Sequence, residues 1–361
     1  MVIAELGTGS GADACKGIEL IHAAVEAGAD CVKFQHVYAD EIIHPNTGLV
    51  PLPGGPVSLY SRFEALSTGP DFLARMKDEV ESRGALFLCT PFGLRSAREL
   101  RNIGARAMKL ASPELNHLPL IAEMAGYRLP AIVSSGVSTL ADIESALRLF
   151  RDSAPDAYGP ASGGLALLHC VTAYPAPETD YNLRVLAALS AIFGVAVGVS
   201  DHSLDPILVP ALATVAGASV IEKHFCLSRS DPGLDDPIAL PPAEFRRMKD
   251  AVSAAAADPE GGLAELKGRY GAETIEKVLG SGRKELAPSE RANYSRTNRS
   301  IHAVRAIAEG EILGADTLAL LRTEKVLRPG LPPAMLPMVL GRRARRAIPS
   351  GEGVTWEDLG A

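Results

Sequence analysis

Apolar and polar positions along the chain follow two alternating rhythms. Short apolar runs recur: "VIAEL" from Val2, "CVKFQ" from Cys31, "ALFLCT" from Ala85 and "AMKLAS" from Ala107. They continue with "AIVSSG" from Ala131, "LALLHC" from Leu165, "VAVGVS" from Val195 and "SVIEKHF" from Ser219. Between them lie longer stretches with apolar residues at helical spacing, such as "KGIELIHAAVEAGA", "PDFLARMKDEVESRG", "LADIESALRLF" and "NLRVLAALSAIFG". Many of these end in Gly, the usual residue just past a helix C-terminus. Strands that alternate with helices imply parallel βαβ units. Eight of them over roughly 250 residues predict an α/β fold, a (β/α)8 barrel. A doubly wound open sheet is the alternative. It is weakened because "GTGSGAD" after the first strand lacks the GxGxxG spacing of a dinucleotide loop.

Past Glu285 the pattern stops. "APSERANYSRTNRS" is polar and aperiodic and reads as a linker, assigned to residues 285–298 after a barrel domain of residues 1–284. The tail, residues 299–361, contains an echo: "AIAEGEILGADTL" from Ala306 and "AIPSGEGVTWEDL" from Ala347. Two similar units predict a small, mostly β domain. A C-terminal extension of the barrel is the alternative.

Composition narrows the function classes. The 361 residues carry a formal charge of −7, and a general nucleic-acid binder would normally be basic. No window reaches the roughly 18 apolar residues of a membrane span. The N-terminus enters "MVIAELG" without a signal-peptide pattern, so a cytoplasmic protein is expected. Cys15, Cys31, Cys89, Cys170 and Cys226 are scattered with no CxxC pair, which suggests neither disulfides nor a zinc knuckle.

In a barrel the active site lies at the C-terminal ends of the strands. Those ends read Glu5; Lys33 and Gln35; Thr90; Lys109, Ser112 and Glu114; Ser134 and Ser135. They continue with His169, Thr172 and Tyr174; Ser200, Asp201 and His202; Glu222 and His224. Strands seven and eight are neighbours, so His202 and His224 converge and suit a divalent metal with open positions. His169 reads as structural. Lys33 and Lys109 sit inside apolar strands, where a lysine is costly unless paired. Either a shared anion with hydroxyl donors Ser112, Ser134 and Ser135, or partner glutamates of the barrel, would justify them.

The motifs "IAELG", "VKFQ", "CTPF", "MKLASPE", "VSSGV", "HCVTAYPAP", "VSDHS" and "IEKHF" occur in the order of the sialic acid synthase family, which the chain resembles throughout. The tail resembles that family's antifreeze-like, or SAF, domain. The resemblance implies condensation of phosphoenolpyruvate with the aldehyde of an open-chain hexosamine. The products would be a 2-keto-3-deoxy acid and phosphate, released by C–O cleavage. It implies a divalent ion, Mn2+ with Mg2+ or Co2+ as alternatives, on His202 and His224. It places Lys33, Thr90, Lys109, Ser112, Ser134 and Ser200 around phosphoenolpyruvate. Gln35, Glu114, Tyr174 and Asp235 fall on the sugar side, and Glu5 and Glu222 near the reacting centre. Arg299 would reach the sugar's acyl group across a domain-swapped homodimer.

Three loop features depart from the family pattern. Gly9 and Ser10 stand where Asn and His are usual, with Ala12 for Gly. The second loop, "VPLPGGPVSLY", has no Asn, and Thr172 replaces a usual Asn or Ser. All three lie on the expected sugar side, so an acceptor other than N-acetylmannosamine is expected. Another phosphoenolpyruvate-condensing synthase and a non-catalytic carbohydrate-binding relative are the rival readings.

Overall fold

The computed structural model describes residues 1–52, 55–159, 162–324 and 326–360. Pro53 and Gly54, in the second loop discussed above, and Ala361 lie outside them. The eight apolar runs form eight parallel strands: β1 (Val2–Gly7), β2 (Cys31–His36), β3 (Leu86–Pro91), β4 (Met108–Leu110), β5 (Ala131–Ser134), β6 (Leu165–Cys170), β7 (Ala196–Asp201) and β8 (Val220–His224). Hydrogen-bonded neighbours run β3-β2-β1-β8-β7-β6-β5-β4. β3 and β4 pack together at the remaining seam, so the barrel is nearly closed. Outward-facing strand residues pack under the helices, including Ala14–Glu26, Pro70–Ser82, Leu140–Ser153 and Val185–Phe193, in one large apolar core.

The inward faces explain where the polar residues go. Ile3, Cys31, Leu88, Ile132, Leu168 and Val220 form an apolar plug inside the barrel. Side chains alternate along a strand, so the residue two positions on faces the same way. Two steps above the plug stand Glu5, Lys33, Thr90, Ser134, Cys170 and Glu222. The change from an apolar to an ionic layer within one repeat places a polar chamber at the C-terminal mouth.

Residues 299–360 form the smaller domain. β9 (Arg299–Ala303) pairs antiparallel with β10 (Leu318–Arg322), over a separate core that includes Ile301, Ile307, Leu313, Val339, Ile348 and Val354. The two echoed segments pair with each other: Ile307 and Ile348 exchange backbone hydrogen bonds of 2.9 Å in both directions. Gly310 N donates to Ala344 O and Gly351 N to Ala303 O, each at 2.8 Å. The repeat is therefore a pseudo-two-fold built from backbone ladder bonds.

The segment read as a linker is docked rather than free. Ala287 is part of the barrel's core. Glu290 is 1% exposed, and Asn298 Nδ2 donates to Val137 O at 3.2 Å. The segment assigned as a linker thus packs on the barrel of the same chain in this structure. Its polar groups bond backbone groups of the barrel loops, which aperiodic sequence does not announce.

Candidate active site

Parallel register sets the chamber. Glu5 lies level with Lys33 on one side and His224 on the other, and Glu222 lies level with Ser200. Lys33 Nζ sits 2.5 Å from Glu5 Oε2 and 3.8 Å from Glu222 Oε1, and donates to Thr90 Oγ1 at 3.3 Å. Gln35 Nε2 donates to Glu5 Oε1 at 2.7 Å. Lys109 Nζ donates to Ser134 Oγ at 2.6 Å and lies 3.8 Å from Glu222 Oε1. Ser200 Oγ donates to that same oxygen at 2.9 Å. Of the two readings for the lysines, pairing with barrel glutamates is therefore present in the ligand-free chain. Glu222 Oε2 is buried and has no hydrogen-bond partner among the described residues.

Electrostatics follow from burial and these neighbours. Burial pushes the Glu222 carboxyl up, but Lys109 and Lys33 pull it down to about 2. Burial pulls Lys33 down, and Glu222 and Glu5 more than reverse it, so its pKa ends above the ordinary value. For Lys109 burial wins, and its pKa ends below. The contrast has a geometric cause: Lys33 touches a carboxylate, whereas the closest partner of Lys109 is a neutral hydroxyl.

The two histidines meet where the strand order predicts. Their rings lie 5.5 Å apart, centroid to centroid, and Tyr174 stacks on His202 at 4.2 Å. His202 Nδ1 lies 2.8 Å from Val171 O and donates to it, which leaves Nε2 as the ring's free nitrogen. Burial pulls His202 down while the Cys170 sulfur, 3.8 Å away, pushes it up to about 9, so a cation bound at Nε2 would displace the ring proton there. Burial holds His224 neutral, at about 3, and its Nδ1 lies 3.8 Å from Asp235 Oδ2. A cavity of about 10 Å³, the room of about one water, opens between Glu5, Gly9, His224 and Asp235. Among the described residues, no group of three or more His, Cys, Asp or Glu side chains has metal-holding geometry. The donor set fits a cation with two imidazole ligands and its other positions filled by water or substrate.

Two of the expected substrate-side residues, Glu114 and Arg299, bond each other. Glu114 is fully buried, 2.7 Å from Arg299 Nη2 and 2.8 Å from Arg322 Nη2. Arg299 is 2% exposed, and its remaining donors go to the carbonyls of Glu41, Ile42, Phe92 and Leu320. It therefore holds Glu114 and joins the second domain to the barrel, with its donors bonded to protein groups in this structure. Its fork geometry explains this: five N–H groups saturate a closed pocket. Arg322, which the sequence reading passed over, lies over the Phe92 ring at 5.4 Å and acts electrostatically on Tyr174. Ser112 Oγ accepts from Gly136 N at 3.0 Å, and Thr172 Oγ1 is buried without a partner among the described residues. Asp13 accepts from Cys15 N and Lys16 N and caps the first helix. His169 bonds Tyr181 O at 2.6 Å and stays structural.

With the geometry in view, comparison with known proteins decides the family. The model of the NeuB family matches residues 20–261, two thirds of the chain. The chain belongs to the NeuB family. The NeuB barrel is followed by a match to the SAF domain over residues 298–360. The chain is 33% identical to the spore coat polysaccharide biosynthesis protein SpsE of Bacillus subtilis, over 99% of this chain and 93% of that one. The crystal structure of SpsE superposes with a TM-score of 0.81, covering 100% of this chain and 95% of that chain. Identity to the N,N'-diacetyllegionaminic acid synthase of Legionella pneumophila is 31%, over 100% of this chain and 94% of that one. Like its named relatives, this NeuB chain is a synthase, an enzyme of the carbon–carbon bond-forming transferase type. No helix of the described residues is long and apolar enough to cross a membrane.

Proposed function

We propose that this NeuB chain condenses phosphoenolpyruvate with the aldehyde of an open-chain amino sugar, giving a 2-keto-3-deoxy acid of the nonulosonic class and phosphate. The observation that carries the reading is Glu222, whose Oε1 is shared by Lys33, Lys109 and Ser200 while its Oε2 stays buried and unpartnered. A chamber with two lysines, hydroxyls and a carboxylate with one idle oxygen suits an anionic substrate that exchanges a proton. Lys33 and Lys109, with Thr90, Ser112, Ser134 and Ser200, hold phosphoenolpyruvate. Gln35, Tyr174, Thr172 and Asp235 face the sugar, with Glu114 held in place by Arg299 and Arg322.

C3 of phosphoenolpyruvate attacks the aldehyde carbon, and the aldehyde oxygen takes a proton to become a hydroxyl. Water adds at C2, and the tetrahedral centre then breaks its C2–O bond, releasing phosphate and leaving the C2 ketone. Glu5 or Glu222 accepts the proton lost by that water. A divalent cation on His202 and His224, Mn2+ in this reading, supplies Lewis-acid polarisation of the aldehyde oxygen when bound. The working unit in this reading is a homodimer that exchanges SAF domains, in which the Arg299–Glu114 contact seen here within one chain would be made between two.

The test is phosphate release from phosphoenolpyruvate with Mn2+ and a panel of amino-sugar aldoses. Turnover of at least one aldose, abolished by chelation and restored by Mn2+, supports the reading. No phosphate release with any of them defeats it. The altered first loop, with Gly9 and Ser10, predicts that N-acetylmannosamine is a poor acceptor beside another aldose. Efficient neuraminate formation would contradict that part.

A further inference from the structure

Side chains on a strand alternate, so the residues between the chamber residues point the other way, under the helices. On β7 and β8 those outward positions begin apolar: Val197, Val199 and Ile221 belong to the large core. At the strand ends the pattern breaks. The next outward positions are Asp201 and Lys223, both fully buried, and the register sets them opposite each other. Lys223 Nζ lies 2.6 Å from Asp201 Oδ2 and donates to Ser203 O at 2.5 Å. Asp201 Oδ1 accepts from Ser203 N at 2.8 Å, and Oδ2 accepts from Ser203 Oγ at 3.1 Å. Neither residue faces the chamber. A buried ion pair is weak evidence for stability, because removing two charges from water offsets their attraction. An apolar pair would serve the core there as well.

Their place in the chain gives the pair another use. Asp201 directly precedes His202, and Lys223 directly precedes His224. Lys223 reaches from β8 past His202 to the Ser203 carbonyl, so His202 is bracketed by anchored residues on both sides. The His202 backbone is held in turn: its N donates to Tyr181 Oη at 2.7 Å, and its O accepts from Ala176 N at 3.0 Å. On β8, His224 O accepts from Leu240 N and Phe225 N donates to Glu5 O, each at 2.8 Å. The two strand ends are thus stapled twice. Ser200 and Glu222 join them on the inner face, and Asp201 and Lys223 on the outer face, one residue nearer the histidines.

We propose that Lys223 and Asp201 are positioning residues: clamped together behind the chamber wall, they fix the spacing and aim of His202 and His224 toward one cation. The proposal rests on the two-histidine cation reading above. It adds to that reading two residues that touch neither cation nor substrate. Metal–ligand distances tolerate only about 0.2 Å. Two ligands on separate strands meet that tolerance only if the strands cannot slide or splay, and the two rings here lie 5.5 Å apart.

Mn2+ binding to the full-length protein, with neither phosphoenolpyruvate nor aldose present, is read from the electron paramagnetic resonance signal of free Mn2+, beside the melting temperature. Asp201→Leu together with Lys223→Met replaces the ion pair by apolar side chains. This double variant is expected to melt close to the parent and to bind Mn2+ at least about tenfold more weakly. Asp201→Asn together with Lys223→Met, which keeps the shape of the acid, serves with the same expectation if the first variant does not fold. Parental Mn2+ affinity in a folded double variant overturns the proposal and leaves the two-histidine reading intact. Weakened binding that only tracks a fallen melting temperature makes the pair structural and overturns it as well. If the parent binds Mn2+ no better than a variant with both His202→Ala and His224→Ala, the cation reading itself fails, and the positioning role goes with it.

Discussion

At the residue scale the chamber turns on charge placed two residues above an apolar plug. Lys109 is the less neutralised of the two barrel-strand lysines there, 3.8 Å from its carboxylate against 2.5 Å for Lys33. Removing one side of a buried charged contact costs roughly 2–5 kcal/mol. Lys109→Ala is therefore expected to raise the phosphoenolpyruvate KM at least about thirtyfold or to abolish turnover. Unchanged steady-state kinetics would make the lysine purely structural. The buried histidines give a second prediction. Burial holds His117 and His169 neutral, each at about 3, helped by Arg299 and Lys284 respectively. In the unfolded chain each titrates near about 6.5. As pH falls below that value the unfolded chain takes protons that the folded chain refuses. Stability is thus fully present above about 6.5 and is lost down to about 3, at up to about 1.4 kcal/mol per pH unit for each histidine. Denaturant midpoints between pH 7.5 and 4.5 should fall, and His169→Asn should flatten the fall. A flat profile in the parent chain would show these groups are not held neutral.

At the element scale much was legible in the sequence. All eight strands lie within or beside the apolar runs, because a strand buried on both faces is a continuous apolar word. Their polar ends are legible too, since the side-chain repeat of two places Glu5, Lys33, Thr90, Ser134 and Glu222 on one interior. What was not legible depends on contacts remote in sequence. Arg322 meets Glu114 across 208 positions, and Glu290 meets Val137 across 153. No local pattern marks either. The tail's echo was legible as a repeat, but its meaning lies in pairing. Gly310 and Gly351, at φ 82° and 88°, occupy equivalent turns. An alanine at Gly310 meets nothing, so Gly310→Ala should cost only strain, about 1–2 kcal/mol. At Gly351 the new Cβ would lie 2.7 Å from His44 Nδ1 on the barrel. Gly351→Ala should therefore cost roughly 2–4 kcal/mol and loosen the domain contact. Equal costs in denaturant unfolding would mean that His44 gives way freely.

At the scale of the whole molecule, the SAF domain and residues 285–298 both pack on the barrel. Arg299 anchors the domain through Glu114, and His44 Nε2 contacts Val304 O at 3.1 Å. Exchange of that domain between two chains would reuse the same contacts. The proposed dimer is tested by complementation: Arg299→Ala chains are refolded with His224→Ala chains. Under exchange, mixed dimers recover one intact site, up to about a quarter of parental activity for random pairing. No recovery, or a 37.9 kDa species by light scattering, would establish the single-chain arrangement.

The proposed condensation is open to an isotope-tracing experiment. Phosphoenolpyruvate labelled with 18O at the C2–O–P bridge is turned over with Mn2+ and the best aldose of the panel, and the released phosphate is weighed by mass spectrometry. C–O cleavage at the chamber predicts phosphate carrying the label. It also predicts loss of turnover when either His202 or His224 is replaced by alanine. Unlabelled phosphate, or release that survives both replacements, would contradict this chemistry.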